Sequence, residues 1–170
     1  MSERQPLVTL IDRISIATGR AAAWLTLLMV LATFVIVLLR YAFDIGVVWL
    51  QESVTWMHAA VFMLGAAYTL QQEEHVRVDI FYRNLPPTRQ AWVNLFGVLF
   101  FVIPLTIFFV IESWDYVAAS WRIREVSRDA GGLPYPFLPL LKSILIVMPV
   151  AVFLQGVSMA LSAVGTIRGR

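Results

Sequence analysis

A chain of 170 residues with 59% apolar and only 14% charged side chains lacks the charge to coat a water-facing surface, since soluble domains carry about 25%. With no cysteine, a disulfide framework, a zinc–thiolate site and a Cys-bound iron–sulfur cluster are all excluded. The formal net charge is +2, and twelve of the thirteen basic residues are Arg, set between apolar blocks rather than in a stripe interleaved with aromatic rings; this argues against a nucleic-acid surface.

Four apolar blocks each reach the roughly 20 residues that a bilayer span needs. They predict an all-α membrane protein, a single domain over 1–170, with helices at about 19–40, 47–70, 89–111 and 138–164. The first block, Ala21–Leu39, carries no charged residue and exceeds the ~7–15 residues of a signal-peptide core, so it reads as a retained signal-anchor. Trp24 and Tyr41 lie near its ends, at the depth amphipathic rings prefer.

The second block is the most polar. Gln51, Thr55, His58 and Thr69 project to one side at helical spacing, with Phe62 and Gly65 between them, while Met57, Ala60, Val61 and Leu64 form an apolar opposite side. Such a stripe is expected to face protein, because lipid cannot hydrogen-bond it. Glu52 is an ionisable group inside a span and hence a functional candidate. It lies about 7 Å from the helix start at 1.5 Å per residue, where the helix dipole favours a carboxylate. Anchoring the helix or pairing with a partner subunit is therefore the favoured role. His58 and His75 are seventeen positions apart, roughly 25 Å along one helix, too far to share one haem iron.

After this block, Glu73-Glu74-His75-Val76-Arg77-Val78-Asp79-Ile80 alternates charge with apolar side chains. Half of the segment favours burial, so a docked loop is expected. The third block contains Pro104 and the fourth contains Pro149 and Gln155; kinks are expected near both prolines, which neighbouring helices can accommodate. From Glu112 to about Ser127 there is no Gly or Pro, and Trp114, Val117, Ala118 and Trp121 fall at helical spacing. Helix three is thus expected to extend to about 127, past the bilayer or along its surface, until Gly131 and Gly132 end it.

Counting Lys and Arg outside the spans gives eight on the side of both termini and of residues 71–90. The other side has five: Arg40, Arg122, Arg124, Arg128 and Lys142. The bias places both termini in the cytoplasm and residues 112–137 outside. No phosphate-binding loop, nucleophile elbow or metal-binding His pair occurs, so the chain reads as a non-enzyme without a cofactor. Nor does it show the repeats with broken helices from which secondary transporters build their sites.

The run WLQESVTWMHAAVFMLGAAYTLQQEEHVRVDIFYRNL, Trp49–Leu85, resembles the small membrane subunit of tripartite ATP-independent periplasmic (TRAP) transporters, the DctQ-like family, and the similarity extends over nearly the whole chain. Members carry a Trp and an acidic pair opening helix two, then small residues, then His-hydrophobic-x-Val-Asp. Here these positions are Trp49, Gln51-Glu52, Gly65-Ala66-Ala67, and His75, Val76, Val78 and Asp79. Gln51 departs from the first acidic position, so a role needing two carboxylates is not carried over. The resemblance implies a bacterial inner-membrane subunit of a sodium-coupled, receptor-dependent importer of organic acids. Its partners would be a large permease subunit that holds the substrate and sodium sites, a periplasmic solute-binding receptor, and membrane lipids. The small subunit would act as a scaffold for the large one, and Gln51, Glu52, Thr55, His58, His75, Arg77 and Asp79 are the candidate subunit-interface residues. Two rival readings share the fold class: the membrane anchor of a respiratory redox enzyme, and a self-sufficient small four-helix transporter.

Overall fold

A computed structural model describes residues 6–72, 82 and 84–169. Four helices in it are long and apolar enough to cross a membrane: α1 (Pro6–Phe43), α2 (Val48–Gln71), α3 (Pro87–Arg122) and α4 (Phe137–Ile167). There is no strand among the described residues.

The first helix starts thirteen residues before the expected boundary of about 19. Pro6 suits a first helical position, where its missing N–H would be unpaired anyway, and no proline interrupts the polar run that follows. The glycine in that run, Gly19, is a packing device: a Cβ there would collide with the Tyr68 ring of α2. Beyond Ala22 the helix has no buried residue, and Leu25, Met29, Ala32, Ile36 and Leu39 alone repeat as a half-buried 4-3-4-3 stripe. This is the spacing of a coiled-coil seam, so the C-terminal half of α1 rests on its neighbours through one narrow edge.

α3 is expected to kink near Pro104. The distortion found is a π-helical turn at Val98–Val102, just before the proline. A helical proline clashes with the carbonyl four residues earlier, here Phe100, which lies within that turn. α4 continues through Pro149. The third helix does outlast the apolar block, but it stops at Arg122, short of 127, and neither glycine stops it. Ile123 is its C-cap, Arg124 takes a left-handed φ of 49°, the Arg124 N–H donates to the Trp121 carbonyl and the Glu125 N–H to the Ser120 carbonyl. This is a Schellman ending with arginine where glycine usually sits.

α4 is the shared wall. It packs against α1, α2 and α3, whereas α3 packs chiefly against α4. Small residues permit the close approach: Ala60 and Ala67 of α2 and Gly156 of α4 are buried, and a Cβ on Gly156 would stand 3.1 Å from Val102. Small side chains at helix crossings are the usual way membrane helices gain packing contact.

Candidate subunit interface

Two polar networks hold the helices together. At one end of the molecule, Gln155 of α4 donates to Asp12 Oδ1 (3.0 Å) and accepts from Ser15 Oγ (2.7 Å), and Ser158 Oγ also donates to Asp12 Oδ1 (3.0 Å). Ser15, Gln155 and Ser158 are buried. Asp12 lies seven residues before the expected start of the first helix at about 19. Only the early start of α1 brings them together, and a charged residue at position 12 followed by Ser15 on the same face was the available signal.

At the opposite end, α2 and α4 grip the segment that joins α3 to α4. Glu52 accepts from Ser127 Oγ and, at 2.6 Å, from the Leu133 N–H. Gly132 is required by space, since a Cβ there would lie 2.6 Å from the Ser127 Cβ and 2.7 Å from Glu52 Oε1. Glu125 Oε2 accepts from Lys142 Nζ and Ser120 Oγ, both at 2.6 Å. The hydrogen bond from Lys142, then that from Ser120, hold the Glu125 carboxyl below the usual carboxylate range. Lys142 also sits 4.1 Å over the Tyr116 ring, Trp121 Nε1 donates to Ser143 Oγ (2.9 Å), and Trp56 Nε1 donates to the Phe137 carbonyl (3.3 Å). A cavity of about 220 Å³ lies under this segment, lined by Glu52, Thr55, Trp56, Leu133, Phe137 and Leu141 among others.

The candidate interface residues divide accordingly. Glu52 is half-buried and turned into the chain's own loop. Gln51, Thr55 and His58 are exposed on α2, and Phe62 between them and Thr69 is 76% exposed. The threonines satisfy themselves: Thr55 donates to the Gln51 carbonyl (3.4 Å) and Thr69 to the Gly65 carbonyl (3.0 Å). Gln51 and His58 make no side-chain hydrogen bond among the described residues. His75, Arg77 and Asp79 lie outside the described residues. Along the α3 stripe, Val117 is buried and Ala118 half-buried, but Trp114 is 60% exposed, and the buried polar residue is Ser120. No group of three or more metal-ligating side chains occurs among the described residues.

Among the described residues the geometry offers a partly polar flank on α2 and a braced loop. No solved structure matches the chain. A curated relative, the C4-dicarboxylate TRAP transporter small permease protein DctQ of Vibrio cholerae serotype O1 (strain ATCC 39315 / El Tor Inaba N16961), is 28% identical over 88 residues, which is 52% of this chain and 38% of that protein. The chain therefore matches well under half of the length of that relative. The family described as tripartite ATP-independent periplasmic transporters, DctQ component, matches residues 29–169. The chain belongs to that family, a transport component, and is a multi-pass protein of the bacterial inner membrane.

Proposed function

We propose that the chain is the small permease subunit of a sodium-coupled, solute-receptor-dependent TRAP transporter for organic acids, and that it acts as a scaffold on which the large permease subunit is assembled. One observation carries the scaffold role: the exposed face of α2, where Gln51 and His58 stand without a partner among the described residues beside an uncovered Phe62. Gln51 stands at the level of the loop that Glu52 holds, but His58 lies about 9 Å beyond Glu52 into the span along α2, where an unpaired polar group is costly and lipid tails cannot relieve it. A helix of the large subunit can. Both termini face the cytoplasm in this reading, in line with the Arg distribution, and Glu52 acts on the interface indirectly by fixing the adjoining loop. The organic-acid substrate follows the family and the dicarboxylate named for the Vibrio protein.

The test is co-purification of the large subunit followed by reconstitution. Gln51→Leu with His58→Leu should reduce recovery of the two-subunit complex several-fold. Vesicles holding this subunit alone should show only background sodium-dependent uptake, and vesicles holding both subunits should take up substrate when receptor is present. Full complex yield from the double variant would refute the α2 interface, and uptake by the small subunit alone would refute the scaffold role.

A further inference from the structure

From the loop beyond α3 we infer a second docking surface: Arg122, Arg124 and Arg128, with Ile123 and Val126 among them, receive an acidic face of a soluble protein on the outer side of the membrane. This rests on the functional reading above and identifies the partner as the solute receptor of the same transporter.

Four observations converge. The first is depth. Trp92 and Trp114 on α3 are both exposed, and the side chains between them include an uncovered series of Phe, Leu, Ile and Val. Their separation of 22 residues is about 33 Å along a helix, close to the ~30 Å of a hydrocarbon core. Trp rings mark the two interfaces. Arg122 therefore lies about 12 Å past the outer boundary along the helix, on the water side of the headgroups.

The second is composition. Ile123 is 68% exposed and Val126 51% exposed, and Arg122, Arg124 and Arg128 are exposed around them. Beyond the bilayer, an uncovered apolar centre with a charged rim is the make-up of a protein contact. The neighbouring anion Glu125 is already taken by Lys142 at 2.6 Å. None of the three arginines makes an ion pair among the described residues. Asp129 is exposed within the same loop, and Glu112 and Asp115 are exposed on α3 nearer Trp114, so the cationic rim is confined to the helix end and the turn.

The third is rigidity. The loop is fixed to α2 by Glu52 through Ser127 and the Leu133 N–H, and to α4 by Glu125–Lys142 and Trp121–Ser143. Mobile lipid headgroups need no such fixed backbone, whereas a shaped protein partner benefits from one. The fourth is strain. Arg124 occupies a left-handed position, φ 49°, where glycine is the comfortable residue. Residues held in disfavoured backbone regions gather at functional sites. Basic residues on the translocated side also work against the orientation rule.

Electrostatic docking acts mostly on encounter rate and fades with salt. The experiment uses the two-subunit complex in phosphatidylcholine nanodiscs and follows receptor association at 50 and 300 mM salt. Arg122→Glu/Arg124→Glu/Arg128→Glu should slow association at least tenfold at low salt and remove most of the salt dependence, while Ile123→Ser/Val126→Ser should speed dissociation. Should the charge reversal disturb folding, seen as a lowered melting temperature or poor complex yield, the milder Arg→Gln triple variant is read instead and should slow association at least threefold. Association within twofold of the unmodified complex overturns the inference. So does an effect that appears only when anionic lipid is added, since the arginines would then be headgroup ligands. A native complex that assembles but binds no receptor overturns this inference and the receptor dependence together. A native complex that never assembles overturns the scaffold reading itself.

Discussion

The Glu52 carboxylate of α2 accepts the Leu133 backbone N–H at 2.6 Å across 81 positions of sequence, and its other oxygen takes the Ser127 hydroxyl. One side chain thus terminates two free ends of the loop that joins α3 to α4. Hydrogen bonds to charged groups are worth about 1.5–3 kcal/mol. Glu52→Leu should lower the stability of the purified protein by about 2–3 kcal/mol on that basis and make residues 123–136 sensitive to protease. Thermal unfolding together with proteolytic mapping checks both. A fully protected loop in that variant would show that Lys142 and Trp121 hold it unaided.

Arg124→Gly is expected to stabilise the protein while removing a charge. A left-handed residue with a side chain costs about 1–2 kcal/mol relative to one without, and the Schellman hydrogen bonds of Arg124 and Glu125 use only the backbone. The gain should appear as a raised melting temperature, alongside weaker receptor docking. A lowered melting temperature would mean that the guanidinium supports the fold.

Gly19→Val should push α1 away from α2, because any Cβ meets the Tyr68 ring. Overpacked sites lose about 1–3 kcal/mol. The companion change Tyr68→Ala should restore much of the loss. A cross-link between cysteines introduced at positions 22 and 67 would report the separation directly. Equal stability of the single and double variants would contradict the contact.

Gln155→Leu removes the only group that bonds both Asp12 and Ser15 across the α1–α4 contact among the described residues. A buried group deprived of its partner costs about 1–3 kcal/mol, more if charged, so this change should be among the most destabilising single substitutions in α4. Ser158→Ala leaves the Gln155 bond to Asp12 in place and should cost about 1 kcal/mol. Urea or thermal titration of the two variants in one detergent gives the order, and a reversed order would overturn the proposed hierarchy.

Acid should release the loop through Glu125. Its carboxyl is held below the ordinary carboxylate range by the hydrogen bonds from Lys142 and Ser120. A depressed folded-state value stabilises the folded form fully above the unfolded value, and that contribution disappears as pH falls through the lowered one. Protease resistance of residues 123–136 should therefore be constant from pH 7 to about pH 5 and decline below about pH 4.5. Glu125→Gln should show reduced resistance with little pH dependence in that range.

The four spans are legible in the sequence because a bilayer demands unbroken apolar length. Glu52 is legible as a lone carboxylate in a first helical turn, but the loop that it holds lies some eighty positions away and leaves no local trace. The polar stripe on α2 is legible as a face, yet its bonding is not: Thr55 and Thr69 turn back to their own helix, an option periodicity does not reveal. The start of α1 is misplaced when charge is taken as the end of the span, whereas Asp12 is bonded by partners more than 140 positions away. The end of α3 is misplaced when glycine is the expected stop signal. The chain turns left-handed at Arg124, and nothing local distinguishes that arginine from its neighbours.

Since α3 packs chiefly against α4, and the C-terminal half of α1 rests on a single seam, the described helices have little interior of their own. Most of its helical surface is contact area awaiting a neighbour. In the function proposed above such a subunit is completed from outside: lipid on the aromatic flank of α3 and a protein partner on α2 would supply the packing that a closed bundle finds within itself. Loss of either neighbour would then be felt as a loss of shape.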